Sequence, residues 1–157
     1  MESLRDAFEG AGVRAEIPGD LQAAIWTKFM LISTWSGVGA VTRAPVGEWR
    51  SVPGTRALAE ASLKETLAVA QARGVDLSDD LAADTLTYLD GVPAEGTTSM
   101  QRDIAEGKPS ELASMSGTVL RLGSEAGVPT PTHGFLYYSL LPQETAARRW
   151  AVRGRPS

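Results

Sequence analysis

The sequence of 157 residues contains no cysteine and only one histidine, His133. The absence of cysteine excludes a disulfide framework, a thiolate metal site and a cysteine nucleophile. A lone histidine also excludes a histidine-rich metal site. We therefore expect no metal centre, and a chain without disulfides fits a cytoplasmic protein.

Long hydrophobic runs and a strong charge of either sign are absent as well. No run of about 18 apolar residues occurs, so we expect no membrane span. Residues 1–6 lack the basic and apolar regions of a secretion signal. The net charge of −4 argues against nucleic-acid binding, because phosphate contacts need a basic face. These absences together predict a cytoplasmic protein without a nucleic-acid or membrane partner.

What is present is an ordinary globular composition, 43% hydrophobic, which proline and glycine divide into helical segments. Only residues 13–17 suggest an extended stretch. We therefore predict an all-α fold of about seven helices in one domain over residues 1–157, with its core at 20–141. The predicted segments are 4–11, 21–41, 45–49, 53–73, one capped by Ser78 or Asp79 and ending near 89, one starting at Thr97 or Thr98 and ending before Gly107, 110–126, 131–141 and a final turn or two at 143–152.

The segment 21–41 is the most distinctive of these, because it is apolar nearly all round. Asp20 is well placed as its N-cap. A helix with this pattern is typical of the middle of a bundle. Gly37 and Gly39 near its end permit close helix packing or a kink.

Lys28 interrupts this apolar helix. A buried lysine has a lowered pKa and can protonate a ketone oxygen as a general acid. The alternative is a lysine whose stem packs on the helix while its ammonium group reaches water. Spacing alone favours the second interpretation.

Ser99 and Asp103 lie four residues apart and hence on one helical face. A serine hydroxyl can both donate and accept, so it suits a substrate carboxylate or hydroxyl. The alternative is that Thr97, Thr98 and Ser99 are N-cap candidates and Asp103 is solvated. Without further information the alternative is favoured.

Glu111 follows the predicted cap residue Ser110 and is predicted to lie in the first turn of a helix, where the helix dipole favours a carboxylate. This structural explanation is sufficient on its own, and the functional alternative is a hydrogen bond from a substrate hydroxyl or a cofactor ribose. Glu65 and Lys64 are interpreted as surface charges, and His133 as a capping or packing residue.

Two further features carry no site. Residues 10–12 (Gly-Ala-Gly) resemble part of a dinucleotide fingerprint, but the third glycine and the preceding apolar strand are missing, so we reject that site. The basic tail, which contains Arg148, Arg149, Arg153 and Arg155, is predicted to fray.

Five sequence motifs occur in an order that resembles one known family. They are Trp26-Thr27-Lys28-Phe29, the stretch 41–48 (VTRAPVGE), the stretch 65–75 (ETLAVAQARGV), the stretch 99–103 (SMQRD) with Glu111 and Gly117, and the stretch 127–131 (GVPTP). Together they resemble the C-terminal helical domain of ketopantoate reductases (2-dehydropantoate 2-reductases), over about residues 15–141. This domain has the helical fold of the 6-phosphogluconate dehydrogenase C-terminal domain.

The resemblance implies an oxidoreductase that reduces ketopantoate to pantoate, for pantothenate and coenzyme A, with NADPH held by an N-terminal Rossmann domain. It implies that Lys28 is the general acid, that Ser99, Glu111 and Ser36 bind the substrate, and that Asp103 supports them. Glu111 is the one residue here that could also contact the cofactor. The expected partners are a small 2-keto acid, a Rossmann domain in cis or in trans, and a second copy in a homodimer.

The sequence departs from the family pattern at the pocket. The family usually has asparagines four and eight residues after the lysine, where this sequence has Ile32 and Ser36, and Ala113 and Ser116 replace the acid and asparagine that usually follow the glutamate. Because a buried polar substrate atom left unpaired costs about 1–3 kcal/mol, a more apolar keto acid is an alternative substrate.

The Rossmann half is also absent from this sequence. Half a cleft cannot hold a hydride donor against a carbonyl, so we expect the isolated chain to be inactive. The alternative function is a free-standing, non-catalytic helical module for dimerisation or ligand binding.

Overall fold

The computed structural model describes residues 7–12 and 19–153. Residues 7–10 are helical and seven helices follow, with no β-strand in this part of the chain. The predicted all-α fold is confirmed, while the predicted stretch 13–17 lies outside the described residues. The helices are α1 (Leu21–Thr42), α2 (Val46–Ser51), α3 (Pro53–Ala72), α4 (Leu81–Gly91), α5 (Ser99–Ala105), α6 (Ser116–Ala126) and α7 (Pro131–Arg153).

Helix α1 is the centre of the bundle and packs against α3, α5 and α7. Asp20 caps it as predicted, accepting a hydrogen bond from the Ala23 amide at 3.0 Å. Its buried residues all lie from Met30 onwards, whereas Leu21 and Ile25 are 57% and 52% exposed. The prediction of burial all round is therefore correct only for the C-terminal half.

Two glycines allow other helices to approach the C-terminal half of α1 closely. A Cβ on Gly37 would lie 2.9 Å from Leu136 Cδ1, and one on Gly39 would lie 2.5 Å from Gln101 Oε1. The predicted close packing at these glycines is confirmed, and it fixes α1 against α5 and α7.

The core beneath α1 is built from α2, α4 and α7. Its buried residues include Val38, Trp49, Leu89 and Leu136. The Arg50 guanidinium, in the last turn of α2, donates to the carbonyls of Leu89 at 2.5 Å and Val92 at 2.7 Å. It thereby satisfies carbonyls that the end of α4 leaves without a helical partner.

Glycine ends two helices in the predicted manner. Gly74 after α3 and Gly127 after α6 have φ angles of +81° and +68°. Other residues rarely adopt this left-handed conformation, which lets the backbone close the last helical turn.

The prediction that Pro142 breaks the last helix is wrong, because α7 continues through Arg153. Proline removes the hydrogen bond to the carbonyl four residues earlier, that of Tyr138. Both residues lie on the exposed side of α7, where water can satisfy that carbonyl. The inner face, with Leu140 and Ala147, continues to pack beyond the proline.

The predicted fraying of the basic tail is wrong for Arg148, while Arg155 lies outside the described residues. Arg148 Nε lies 2.6 Å from Glu144 Oε1, so this arginine is anchored rather than frayed. Over the two described stretches, no helix is both long and apolar enough to cross a membrane.

Candidate functional site

Lys28 lies in the N-terminal half of α1 with its side chain exposed. It makes no hydrogen bond or ion pair within the described ranges 7–12 and 19–153. The buried interpretation is therefore wrong for this chain, and the ammonium group reaches water. Ile25 and Ile32, one turn to either side on the same face, are exposed and half-buried. The cation stands in a stripe that is otherwise apolar.

Ser99 is the first residue of α5, and its hydroxyl is exposed. The N-cap is Thr98, whose side chain accepts from the Gln101 amide at 3.2 Å. Ser99 is therefore not needed as a cap. Its hydroxyl is free to contact a ligand.

Asp103 is half-buried on the same short helix. Its carbonyl accepts from the Lys108 amide at 2.8 Å, which closes the end of α5. Gln101, by contrast, is buried and donates through Nε2 to the Ala44 carbonyl at 3.0 Å. Gln101 ties α5 to the end of α1 and so fixes the helix that carries Ser99.

Glu111 does not lie in a helix, contrary to the prediction of a helix over 110–126. Residues 111–115 form turns and α6 begins only at Ser116. The Glu111 carbonyl accepts from the Met115 amide at 2.9 Å, while its carboxylate is exposed. The helix starts late because the preceding segment is bound to α7.

That segment is held by a buried carboxylate that the sequence did not point to. Glu144, 4% exposed, accepts from the Ser110 amide at 3.1 and 3.0 Å and from its hydroxyl at 2.6 Å. Arg148 donates to the Ser110 carbonyl at 2.7 Å. The only signal in the sequence was that Glu144 stands four residues before Arg148. That spacing is equally typical of an ion pair on a helix surface.

Ser36 lies on the buried half of α1 and is 1% exposed. Its neighbour Gly37 faces Ser116, since a Cβ there would lie 3.4 Å from the serine Oγ. The turn of α1 that contains Ser36 and Gly37 therefore packs against the start of α6 through Gly37. Lys28 lies eight residues earlier, about 12 Å along the helix axis.

The exposed candidates Lys28, Ser99 and Glu111 line neither of two grooves that the described residues form. These two grooves, of about 760 and 630 Å³, are lined instead by residues 106–109 with the C-terminal part of α7 and by α6 with the tyrosines of α7. A site built on these three residues would need another surface to close it.

A second group of polar side chains lies in the core between α1, α3 and α7. Ser62 Oγ is 2.8 Å from Thr34 Oγ1 and 3.1 Å from His133 Nε2, and Thr66 Oγ1 is 2.9 Å from the same nitrogen. His133 is fully buried. Burial lowers its pKa, although the Glu65 charge opposes that effect. The predicted packing role of His133 is confirmed.

Glu65 is not the surface charge that was predicted. Its carboxylate accepts from the backbone amides of Thr132 at 2.7 Å and His133 at 2.9 Å. These amides belong to the first turn of α7, where an anion is favoured. Lys64, in contrast, is exposed and pairs with Glu60 at 2.5 Å, as predicted for a surface charge.

No dinucleotide or metal site emerges from these residues. Residues 10–12 are at and just after the end of the helical residues 7–10, whereas a dinucleotide-binding glycine loop follows a strand. In residues 7–12 and 19–153, no group of three His, Asp or Glu side chains could hold a metal ion.

Comparison with known proteins relates this chain to one family. The family model described as the C-terminal region of ketopantoate reductase PanE/ApbA matches residues 20–144. The 2-dehydropantoate 2-reductase of Mesorhizobium japonicum is 30% identical over 129 residues, which cover 82% of this chain and 39% of that protein.

Solved structures agree with this match. The PanE/ApbA family ketopantoate reductase of Ralstonia eutropha JMP134 superposes with a TM-score of 0.84 at 29% identity, over 94% of this chain and 49% of that one. A ketopantoate reductase of Staphylococcus aureus, described as dimeric, gives 0.85 at 26% identity, over 92% of this chain and 50% of its own. This chain thus spans about half the length of these two solved relatives. It spans 39% of the length of the Mesorhizobium protein.

Proposed function

Since the chain belongs to the ketopantoate reductase PanE/ApbA family, as its C-terminal domain, we propose that it is the substrate-binding part of an enzyme that reduces a 2-keto acid to a 2-hydroxy acid. The family is one of oxidoreductases. Its named reaction suggests ketopantoate and pantoate as the pair and NADPH as the hydride donor. We assign the substrate-binding core to residues 20–141.

The observation that carries this proposal is the contrast between exposed polar side chains and fixed backbones. Lys28, Ser99 and Glu111 have exposed side chains that make no hydrogen bond within the described ranges. The elements that carry them are held by buried residues such as Gln101 and Glu144. Polar groups presented in this way are suited to bind a ligand once a second surface covers them.

In the proposed reaction Lys28 acts as the general acid. When bound, NADPH supplies a hydride to the carbonyl carbon. The Lys28 ammonium donates a proton to the carbonyl oxygen, and the lysine is then reprotonated from water. Ser99 and Glu111 hold the polar groups of the substrate. Asp103 supports the start of α5, and Ser36 lies at the inner end of the proposed substrate site.

The described residues of this chain do not fit the cofactor themselves, because they contain no phosphate-binding loop. We therefore propose that a Rossmann domain, in cis or in trans, holds NADPH, and that at most Glu111 contacts it from this side. The absence of cysteine fits our proposal of a cytoplasmic enzyme.

The surroundings of Lys28 favour a substrate with an apolar side chain. Ile25 and Ile32 flank the lysine on α1. The nearby Thr27 hydroxyl is already used, donating to the Ala23 carbonyl at 2.8 Å. A keto acid with an aliphatic side chain would leave no hydroxyl unpaired beside these residues, whereas ketopantoate would.

A second candidate is a non-catalytic helical module for dimerisation or ligand binding. Leu21 and Ile25, both more than half exposed on α1, favour it, because exposed apolar residues on one helix face mark interaction surfaces. In this case Lys28 and Glu111 would be dispensable for function.

The test is reductase activity of this chain, alone and fused to the nucleotide-binding domain of a family member. We expect no NADPH oxidation by the chain alone and keto-acid-dependent oxidation by the fusion. Ketopantoate and 3,3-dimethyl-2-oxobutanoate, which differs from it only by the loss of the hydroxyl oxygen, form the matched substrate pair. Turnover by the isolated chain would contradict the need for a second domain. An inactive but folded fusion, with every keto acid tried, would favour the non-catalytic module.

A further inference from the structure

The segment that precedes α6 is bound to α7 by every polar backbone atom of one residue. The Ser110 amide and hydroxyl both donate to the Glu144 carboxylate, and the Ser110 carbonyl accepts from Arg148 at 2.7 Å. The hydroxyl oxygen also accepts from the Leu112 amide at 3.2 Å. The backbone and hydroxyl of Ser110 are therefore held in one position once α7 is packed.

The Glu144 carboxylate at the centre of this arrangement is buried and therefore needs hydrogen-bond donors around it. Glu144 is 4% exposed, whereas Arg148, its ion-pair partner, is 55% exposed at the side chain. An ionised carboxylate removed from water is tolerated only when several donors surround it. Charge-assisted hydrogen bonds of this kind are short and directional, so they fix a position as well as satisfying a charge.

Glu111 lies directly between two anchored residues. Ser110 on one side is held by Glu144, and Leu112 on the other is fully buried in the cluster with Met100 and Leu140. The Glu111 carbonyl is held by the Met115 amide. Only the side chain of Glu111 is left unrestrained, and it points to the exterior.

We propose that Glu144 is a positioning residue, which through Ser110 fixes the backbone of Glu111 and so aims the Glu111 carboxylate at the substrate. This inference rests on the proposed function of Glu111 in binding a keto acid. Preorganisation of this kind affects a rate strongly, because small displacements of a binding group disturb the reacting geometry.

The first test measures backbone amide hydrogen exchange in this chain as it is. Glu144→Gln keeps the shape of the side chain but removes its charge. We expect exchange at the Ser110, Leu112 and Met115 amides to accelerate by about tenfold or more, with little change in α3. Glu125→Gln is the matched control, since Glu125 also forms an i,i+4 ion pair, with Arg121, but on the surface. Unchanged exchange at these three amides would overturn the proposal.

The second test is a double-mutant cycle in the fused enzyme. If Glu144 acts through Glu111, then Glu144→Gln lowers kcat/KM by about tenfold alone and adds little to Glu111→Gln. A purely structural role predicts additive losses instead, and that result would overturn the proposal. Ser110→Ala, which removes only the hydroxyl contacts, gives a second variant should Glu144→Gln fold poorly.

The two proposals can fail separately. A fusion that reduces no keto acid contradicts the proposed function, while the exchange experiment still reports on the link between Glu144 and the Glu111 segment. An active fusion in which Glu111→Gln has no effect contradicts the positioning role and leaves the reductase assignment intact.

Discussion

Lys28 is a residue whose role can be separated cleanly from the stability of the fold. Its side chain is exposed and makes no contact that the described core depends on. We expect Lys28→Ala in the fused enzyme to lower kcat by about 10²–10⁴-fold, the usual contribution of a general acid. The free energy of unfolding should change by less than about 0.5 kcal/mol, as at other surface sites.

Lys64→Ala is the matched control for this experiment, since Lys64 is also exposed and, among the described residues, pairs only with Glu60 on α3. We expect wild-type kcat for that variant. Normal turnover of the Lys28 variant would show that the proton comes from elsewhere.

His133 predicts how stability depends on pH. Because burial holds the pKa of His133 below its ordinary value, the unfolded chain binds a proton at pH values at which the folded chain does not. The free energy of unfolding should therefore fall as pH drops below about 6.5, and continue to fall until the folded-state pKa is reached.

Chemical denaturation between about pH 8 and pH 5.5 measures this dependence. His133 is the only histidine, so His133→Gln should flatten the curve above the range where carboxylates titrate. An equally steep curve in the variant would assign the dependence to other groups.

Single residues were the hardest to assign from sequence. Exposure of Lys28 and packing of His133 follow from ordinary preferences of lysine and of residues near a helix start. Glu65 and Glu144 did not look different from surface glutamates, because their partners lie 67 and 34 residues away along the chain. Only tertiary packing reveals that they are half-buried and buried.

At the scale of helices, Pro142 in α7 offers a direct test. A proline inside a helix costs about 3 kcal/mol relative to alanine, and Pro142 is exposed, so its ring is not needed for packing. We expect Pro142→Ala to raise the free energy of unfolding by about 1–3 kcal/mol by restoring the hydrogen bond to the Tyr138 carbonyl.

The control for this variant is Pro53→Ala. Pro53 stands at the first position of α3. A residue there has no helical acceptor for its amide, so proline costs no hydrogen bond and its fixed φ is favourable. Its replacement should be neutral or slightly destabilising in thermal or urea unfolding. A loss of stability in Pro142→Ala would show that α7 depends on the local geometry that proline imposes.

Helix boundaries were predictable where local chemistry sets them. The Asp20 cap and the glycines at 74 and 127 act within one turn, so the sequence reveals them directly, and Thr98 was one of three cap candidates. The predicted cap of α4, Ser78 or Asp79, is wrong, because the N-cap residue is Asp80. The start of α6 and the continuation of α7 past Pro142 depend on contacts between helices. Both were therefore mispredicted.

At the scale of the whole molecule, the exposed apolar face of α1 predicts self-association. Leu21 and Ile25 are 57% and 52% exposed, and such surfaces tend to be covered. We expect light scattering to give this chain a mass of about twice its 16.6 kDa. Ile25→Glu should shift it towards the monomer, because burial of an unpaired carboxylate opposes association.

Tyr88→Glu is the control for surface charge, because Tyr88 is 62% exposed and belongs to a different helix, α4. It should leave the mass unchanged. A monomeric parent chain, or a dimer that survives Ile25→Glu, would contradict the assignment of this face.

The fold class and family could be predicted because they depend on features spread along the whole chain: helical periodicity, breakers and the order of five motifs. The candidate site could be predicted only as residue types. Whether Lys28, Ser99 and Glu111 enclose a ligand depends on a covering surface that the described residues of this chain do not supply.

The cap that Glu65 provides to α7 has a consequence for how the protein is made. A ribosome delivers the chain from its N-terminus, so Glu65 and the hydroxyls of Ser62 and Thr66 emerge long before the residues they bind, Thr132 and His133. Until α7 leaves the exit tunnel, the core residues that α7 will cover remain exposed on the growing chain. The nascent domain must wait for its last helix to close, and during that interval it is the form that chaperones would meet.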